Sequence, residues 1–117
     1  MKVIIAGSRN FNDYNMLKDY IDNLNLNISE VISGTAKGAD TLGERYAQEN
    51  NIKIRRFYAD WNAYGRAAGP IRNKKMADYG DCLIVFWDGE SRGTYSMINF
   101  AKQLGLEVHI CEYKKSQ

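Results

Sequence analysis

The sequence predicts a single three-layer α/β domain built around a five-stranded, mainly parallel sheet. Three observations carry this expectation. Short β-branched runs alternate with longer stretches of helical periodicity, the pattern left by successive βαβ units. Several runs stop at a glycine, where a strand can turn sharply toward a helix. One run, "CLIVFW" from Cys82 to Trp87, is apolar without interruption, as a strand covered on both faces must be.

The elements follow in order. "KVIIA" (Lys2 to Ala6) reads as the first strand and ends at Gly7. Asn12 to Leu24 carries Met16, Leu17, Tyr20, Ile21 and Leu24 on one helical face. "SEVIS" (Ser29 to Ser33) is a second strand, again closed by a glycine. Gly38 to Asn50 is a second helix with Ala39, Leu42, Tyr46 and Ala47 turned inward. Ile52 to Ala59 alternates, which suits a strand near a sheet edge. An irregular stretch, "DWNAYGRAAG", comes next. "PIRNKKMADYG" reads as a third helix with Pro70 at its first position. After Cys82 to Trp87, a fourth helix runs from Ser96 to Gly105, with glycine as its stop. Glu107 to Tyr113 is the last strand. Residues 1–113 thus make one domain, and the tail 114–117 is expected to fray. Right-handed crossovers give a Rossmann-like sheet of order 3-2-1-4-5.

Composition bounds the function. A chain of 117 residues is one domain, long enough to bury a core without staples. Hydrophobic residues at 44% and charged residues at 26% place it among soluble globular proteins. The net charge of +2 is too small to mark a nucleic-acid footprint, so a nucleic-acid partner is not expected. Cys82 and Cys111 each lie in an apolar run and read as buried free thiols in a reducing, cytoplasmic compartment. No apolar run approaches the roughly 20 residues that span a bilayer, so no membrane association is expected. No Ser-His-Asp or Cys-His arrangement stands out, no clustered histidine, cysteine and carboxylate set supports a metal, and no cofactor is expected. His109, inside the last strand, reads as structural.

In sheets of this kind ligands bind beyond the carboxyl ends of the strands, at the switch point between the first and fourth. Gly7, Ser8 and Arg9 follow the first strand. Gly34, Thr35, Ala36, Gly38, Ala39 and Asp40 follow the second. Asp88, Gly89, Ser91, Gly93 and Thr94 follow the fourth. Each glycine alone reads as a tight turn. Three such turns converging with hydroxyls and arginines point to a ligand site, and helix starts there add unpaired donors and a positive dipole end that suit phosphate. "SGTAKGAD" is not a Walker A sequence, and "GSRNFN" does not match the dinucleotide pattern. Asp40 either caps its helix or meets a ribose hydroxyl. Asp88 either takes a ribose or a water, or is a plain turn aspartate. Trp61 and Tyr64 either stack on a base as a lid or anchor the long loop.

Four segments together, "GSR", "SGTAKGAD", "ADWNAYGRAAGPIRNKKM" and "FWDGESRGTYSM", resemble the YspA-type branch of the SLOG superfamily across nearly the whole chain. That superfamily groups Rossmann-like domains that bind nucleotides or nucleotide-derived ligands, and it includes the LOG phosphoribohydrolases and the DNA-processing protein A domain. The resemblance implies that Gly34 to Asp40, Gly93 and Thr94 offer donors to phosphate, with Arg72, Asn73 and Arg9 beside them. It also implies a homo-oligomer, a dimer by analogy. LOG enzymes carry "RKxxM" and then "PGGxGTxxE". Arg72 and Met76 fall on the first motif, Gly93 and Thr94 on the second, and Met97 falls where the catalytic glutamate belongs. The implied function is binding of a nucleoside phosphate or an ADP-ribose type of ligand, as a sensor or sequestering protein. The alternatives are a LOG-like hydrolase, with Arg72 and Asp88 as its catalytic candidates, and a binder of single-stranded DNA.

Overall fold

The computed structural model describes residues 1–114; Lys115 to Gln117, most of the tail expected to fray, lie outside the described residues. Five strands, β1 (Lys2–Gly7), β2 (Glu30–Ser33), β3 (Lys53–Arg56), β4 (Cys82–Trp87) and β5 (Glu107–Glu112), form one sheet of order β3-β2-β1-β4-β5. All four pairings are parallel. This is the predicted topology, with no antiparallel strand among the described residues.

Strand alternation divides the core in two. Val3, Ile5, Val31, Ile84 and Phe86 face helices α1 (Tyr14–Leu24) and α2 (Ala39–Glu49), where they meet Leu17, Ile21, Tyr46 and Ala47. Ile4, Ala6, Ile32, Leu83 and Val85 face the other way and pack on Met76, Ala77, Met97, Ile98 and Ala101. Full burial of each large apolar side chain contributes about 1.5–3 kcal/mol, so the three central strands hold the fold. Both outer strands are largely exposed, as their mixed composition requires. Among the described residues no helix is long and apolar enough to cross a membrane.

Three boundaries differ from the sequence expectation. The stretch read as irregular is helical. Asp60 accepts a hydrogen bond from Ala63 N at 3.0 Å and starts the one-turn helix α3 (Trp61–Tyr64), and a 3-10 turn over Gly65–Ala67 leads straight into α4 (Ala68–Tyr79). Pro70 is therefore the third residue of α4, not the first. It is tolerated there because the first turn of a helix leaves its N–H groups unpaired. Helix α5 begins at Arg92, four residues before the predicted Ser96, because Ser91 caps it by accepting from Thr94 N at 3.4 Å. The third strand is shorter than its alternating pattern suggested, ending at Arg56.

Candidate functional site

The carboxyl ends of β1, β2 and β4 and the first turns of α4 and α5 enclose a cavity of about 570 Å³. It lies where the fold rule places it. Of the residues singled out by sequence, Gly7, Ser8, Arg9, Ala36, Asp40, Trp61, Arg72, Asn73, Asp88, Ser91, Gly93 and Thr94 line it. Gly34, Thr35, Gly38, Ala39, Gly89 and Tyr64 do not.

Several of the latter shape the wall from behind. A Cβ on Gly34 would stand 2.8 Å from Asp40 Oδ2 and 3.3 Å from the Arg72 guanidinium, so this glycine keeps room for both charges. Gly38 has φ of 81°, and a Cβ there would reach within 2.4 Å of the Ser8 carbonyl oxygen. It allows the start of α2 to close on the loop after β1, where Ala39 N donates to Ser8 O at 3.4 Å. Thr35 has φ of 65°, a left-handed conformation that a β-branched residue rarely adopts. Its hydroxyl donates to Gly34 O at 2.6 Å and its N–H to Ser33 Oγ at 3.1 Å, which hold the strained turn in place.

Asp40 and Arg72 are the charged centre. Asp40 is 5% exposed and accepts from Ala36 N at 3.1 Å. Burial pushes its pKa up to about 6, against the pull of the Ala36 N–H and the Arg72 charge. Arg72 donates from Nη1 to Gly34 O at 2.6 Å and from Nε to Asn73 Oδ1 at 3.0 Å. Burial lowers its pKa, partly offset by Asp40, and a guanidinium still carries its charge. Asn73 is buried, and its Nδ2 donates to Gly93 O at 3.3 Å. It therefore orients Arg72 and ties α4 to the start of α5. Both residues sit in the second turn of α4, because the helix starts at Ala68, two residues before Pro70.

The loop after β4 is organised by Asp88. Its Oδ1 accepts from Glu90 N at 2.9 Å and Ser91 N at 2.8 Å, and its own N–H donates to Ser8 Oγ at 3.2 Å. Asp88 thus fulfils the turn-aspartate reading while still lining the cavity. Ser91 Oγ and Thr94 Oγ1 pair at 3.0 Å. Gly93, the second residue of α5, has no atom within 4 Å of where a Cβ would stand. No packing demands a glycine there, and its effect is to leave open the space beside the unpaired N–H groups of the helix start.

Sequence reasoning missed Arg66, Arg92, Asn10 and Ser96, which also line the cavity. Arg92 directly follows the Ser91 cap, and recognising that cap would have placed it. Arg66 lies in the stretch misread as irregular. Met97, in the place of the LOG glutamate, lines the floor and is 1% exposed. Trp61 lines the mouth and stays 52% exposed. A further correction lies at the other edge of the sheet, where parallel pairing gathers Cys82, Glu107 and His109, a histidine, cysteine and carboxylate set not legible in the sequence.

A parallel 3-2-1-4-5 sheet with its crevice at the switch point between β1 and β4 defines a Rossmann-like domain. Comparison with known proteins narrows this. The model of the YspA, cpYpsA-related SLOG family matches residues 1–64, and the chain belongs to that family. It is 34% identical over 116 residues to the Gene 61 protein of Mycobacterium phage D29, covering 92% of this chain and 93% of that protein. Its fold is shared by DNA processing protein A from Streptococcus pneumoniae, with a TM-score of 0.75 at 21% identity. That match covers 93% of this chain and 49% of the other, so this chain spans about half of that protein's length.

Proposed function

We propose that the crevice binds a nucleotide-derived small molecule, a nucleoside phosphate or ADP-ribose type of ligand, as a sensor or sequestering protein. The observation that carries this reading is Gly93. It leaves space at the start of α5, in the same cavity that is lined by the Arg72 guanidinium held by Asn73 and Gly34. Backbone donors and a fixed guanidinium are what a phosphate requires. Asp40 or Asp88 takes a sugar hydroxyl, and the exposed face of Trp61 offers a surface for a base. A cavity of about 570 Å³ suits a ligand of this size. Native mass spectrometry of protein isolated from its host cells tests the reading. An adduct with the mass of a nucleotide derivative is expected, and its absence, together with failure of added nucleotides to bind, contradicts it.

A second reading, hydrolysis of a nucleotide's N-glycosidic or phosphate bond, is favoured by Asp40. A carboxyl whose pKa lies near 6 can give or take a proton close to neutral pH. Incubation with nucleoside monophosphates should then release free base or phosphate, and Asp40→Asn should abolish the release. Wild-type protein that binds without any release supports the sensor reading alone.

A third reading, binding of single-stranded DNA, draws on the crevice and the helix beside it. Trp61, which lines the cavity, and Tyr64, outside it on the same one-turn helix, are 52% and 53% exposed, and Arg9, Arg66 and Arg92 line the cavity. Exposed aromatics among arginines are the usual platform for unpaired bases, and the solved structure that shares this fold is named a DNA processing protein. A salt-dependent gel shift with an oligonucleotide is expected on this reading, and no shift at low salt removes it.

A further inference from the structure

Because every strand is parallel, the amino edge of the sheet lies opposite the crevice. There Cys82 pairs with Glu107 and Ile84 with His109 in register between β4 and β5. Alternation puts Cys82, Glu107 and His109 on one face of the sheet. Glu107 Oε2 lies 2.6 Å from His109 Nε2 and 3.9 Å from Cys82 Sγ, and the three ligand atoms all fall within 4.8 Å of one another. Glu107 Oε2 is thus the shared hydrogen-bond partner of the imidazole and of the Cys82 thiol, which donates to it, so one carboxylate draws both other groups together.

We propose that Cys82, Glu107 and His109 form a zinc-binding site that clamps the edge strand β5 to β4. One thiolate, one imidazole and one carboxylate make a mixed set that suits Zn²⁺ and disfavours Mg²⁺ or Ca²⁺. Zinc bonds of about 2.0–2.3 Å place tetrahedral ligand atoms roughly 3.3–3.8 Å apart. The observed spacings approach this, and the adjustment falls mainly on Glu107, whose side chain is 48% exposed and free to open away from the imidazole. Cys82 supplies the buried anchor, and His109, at 25% exposure, leaves the outer side of the site accessible for a fourth ligand such as water. On binding, the thiol proton leaves to solvent as the sulfur–zinc bond forms.

Titration of the full-length protein with Zn²⁺ by calorimetry, and with Co²⁺ by absorption, tests the site. One metal per chain is expected, with a sulfur-to-cobalt charge-transfer band and a rise in melting temperature on zinc addition. Glu107→Gln and His109→Ala change groups on the edge strand outside the central core, so they should fold, and each should weaken zinc at least about tenfold. Cys82→Ser should abolish the charge-transfer band. Absence of binding at millimolar metal overturns the proposal. So does binding without the band, or wild-type affinity in His109→Ala, since either places the metal elsewhere.

Discussion

Asp40, 5% exposed beside Arg72, binds more protons in the folded chain than in the unfolded one between pH 3.8 and about 6. Its contribution to stability is therefore fully present below 3.8 and is lost as pH rises through about 6. Asp40→Asn keeps the shape and removes the charge. It should match wild type near pH ~4 and exceed it by about 1–3 kcal/mol near pH ~8, read as urea midpoints at the two pH values. A variant less stable than wild type at the higher pH contradicts the assignment. Gly34→Ala pushes a methyl group against Asp40 and Arg72 and should cost on the order of 1–3 kcal/mol in the same assay. At this scale Arg72, Asn73 and Asp40 were legible from their motifs. The bond from Arg72 to the Gly34 carbonyl was not, because it joins residues 38 positions apart through the approach of α4 to β2.

Helix α5 carries a glycine at its start that packing does not require. Ser91 caps it, and Gly93 then occupies a helical position that packing leaves free. Gly93→Ala should stabilise the unliganded protein by up to about 1 kcal/mol through helix propensity. The same change should weaken binding of AMP or ADP-ribose, because the methyl group enters the space over the helix start. Melting curves and titrations on one preparation check both halves, and an alanine variant with undiminished affinity removes the phosphate from this helix. Elements with a strong apolar signal were legible, the uninterrupted run of β4 and the one-sided periodicity of α1. The starts of α3 and α5 were missed because Asp60 and Ser91 read as loop residues until their side chains are seen to accept from Ala63 and Thr94.

For the whole molecule, strand–helix alternation with right-handed crossovers narrowed the topology to a few doubly wound orders, and the sheet adopts the predicted one. Net charge was a poorer guide. A value of +2 averages over the chain, whereas Arg9, Arg66, Arg72 and Arg92 all line one cavity against Asp40 and Asp88. The family match ends at residue 64, so Arg72, Asn73, Asp88 and Gly93 enter the account through the fold and their contacts. Calorimetric titration of AMP and ADP-ribose into wild type and Arg72→Ala tests the central claim most directly. Saturable one-to-one binding of at least one ligand is predicted for wild type, with an affinity loss of at least about tenfold in a variant that still melts cooperatively, the worth of one charge-assisted hydrogen bond to phosphate. Failure of both ligands to bind wild type, or equal affinity in Arg72→Ala, would contradict it.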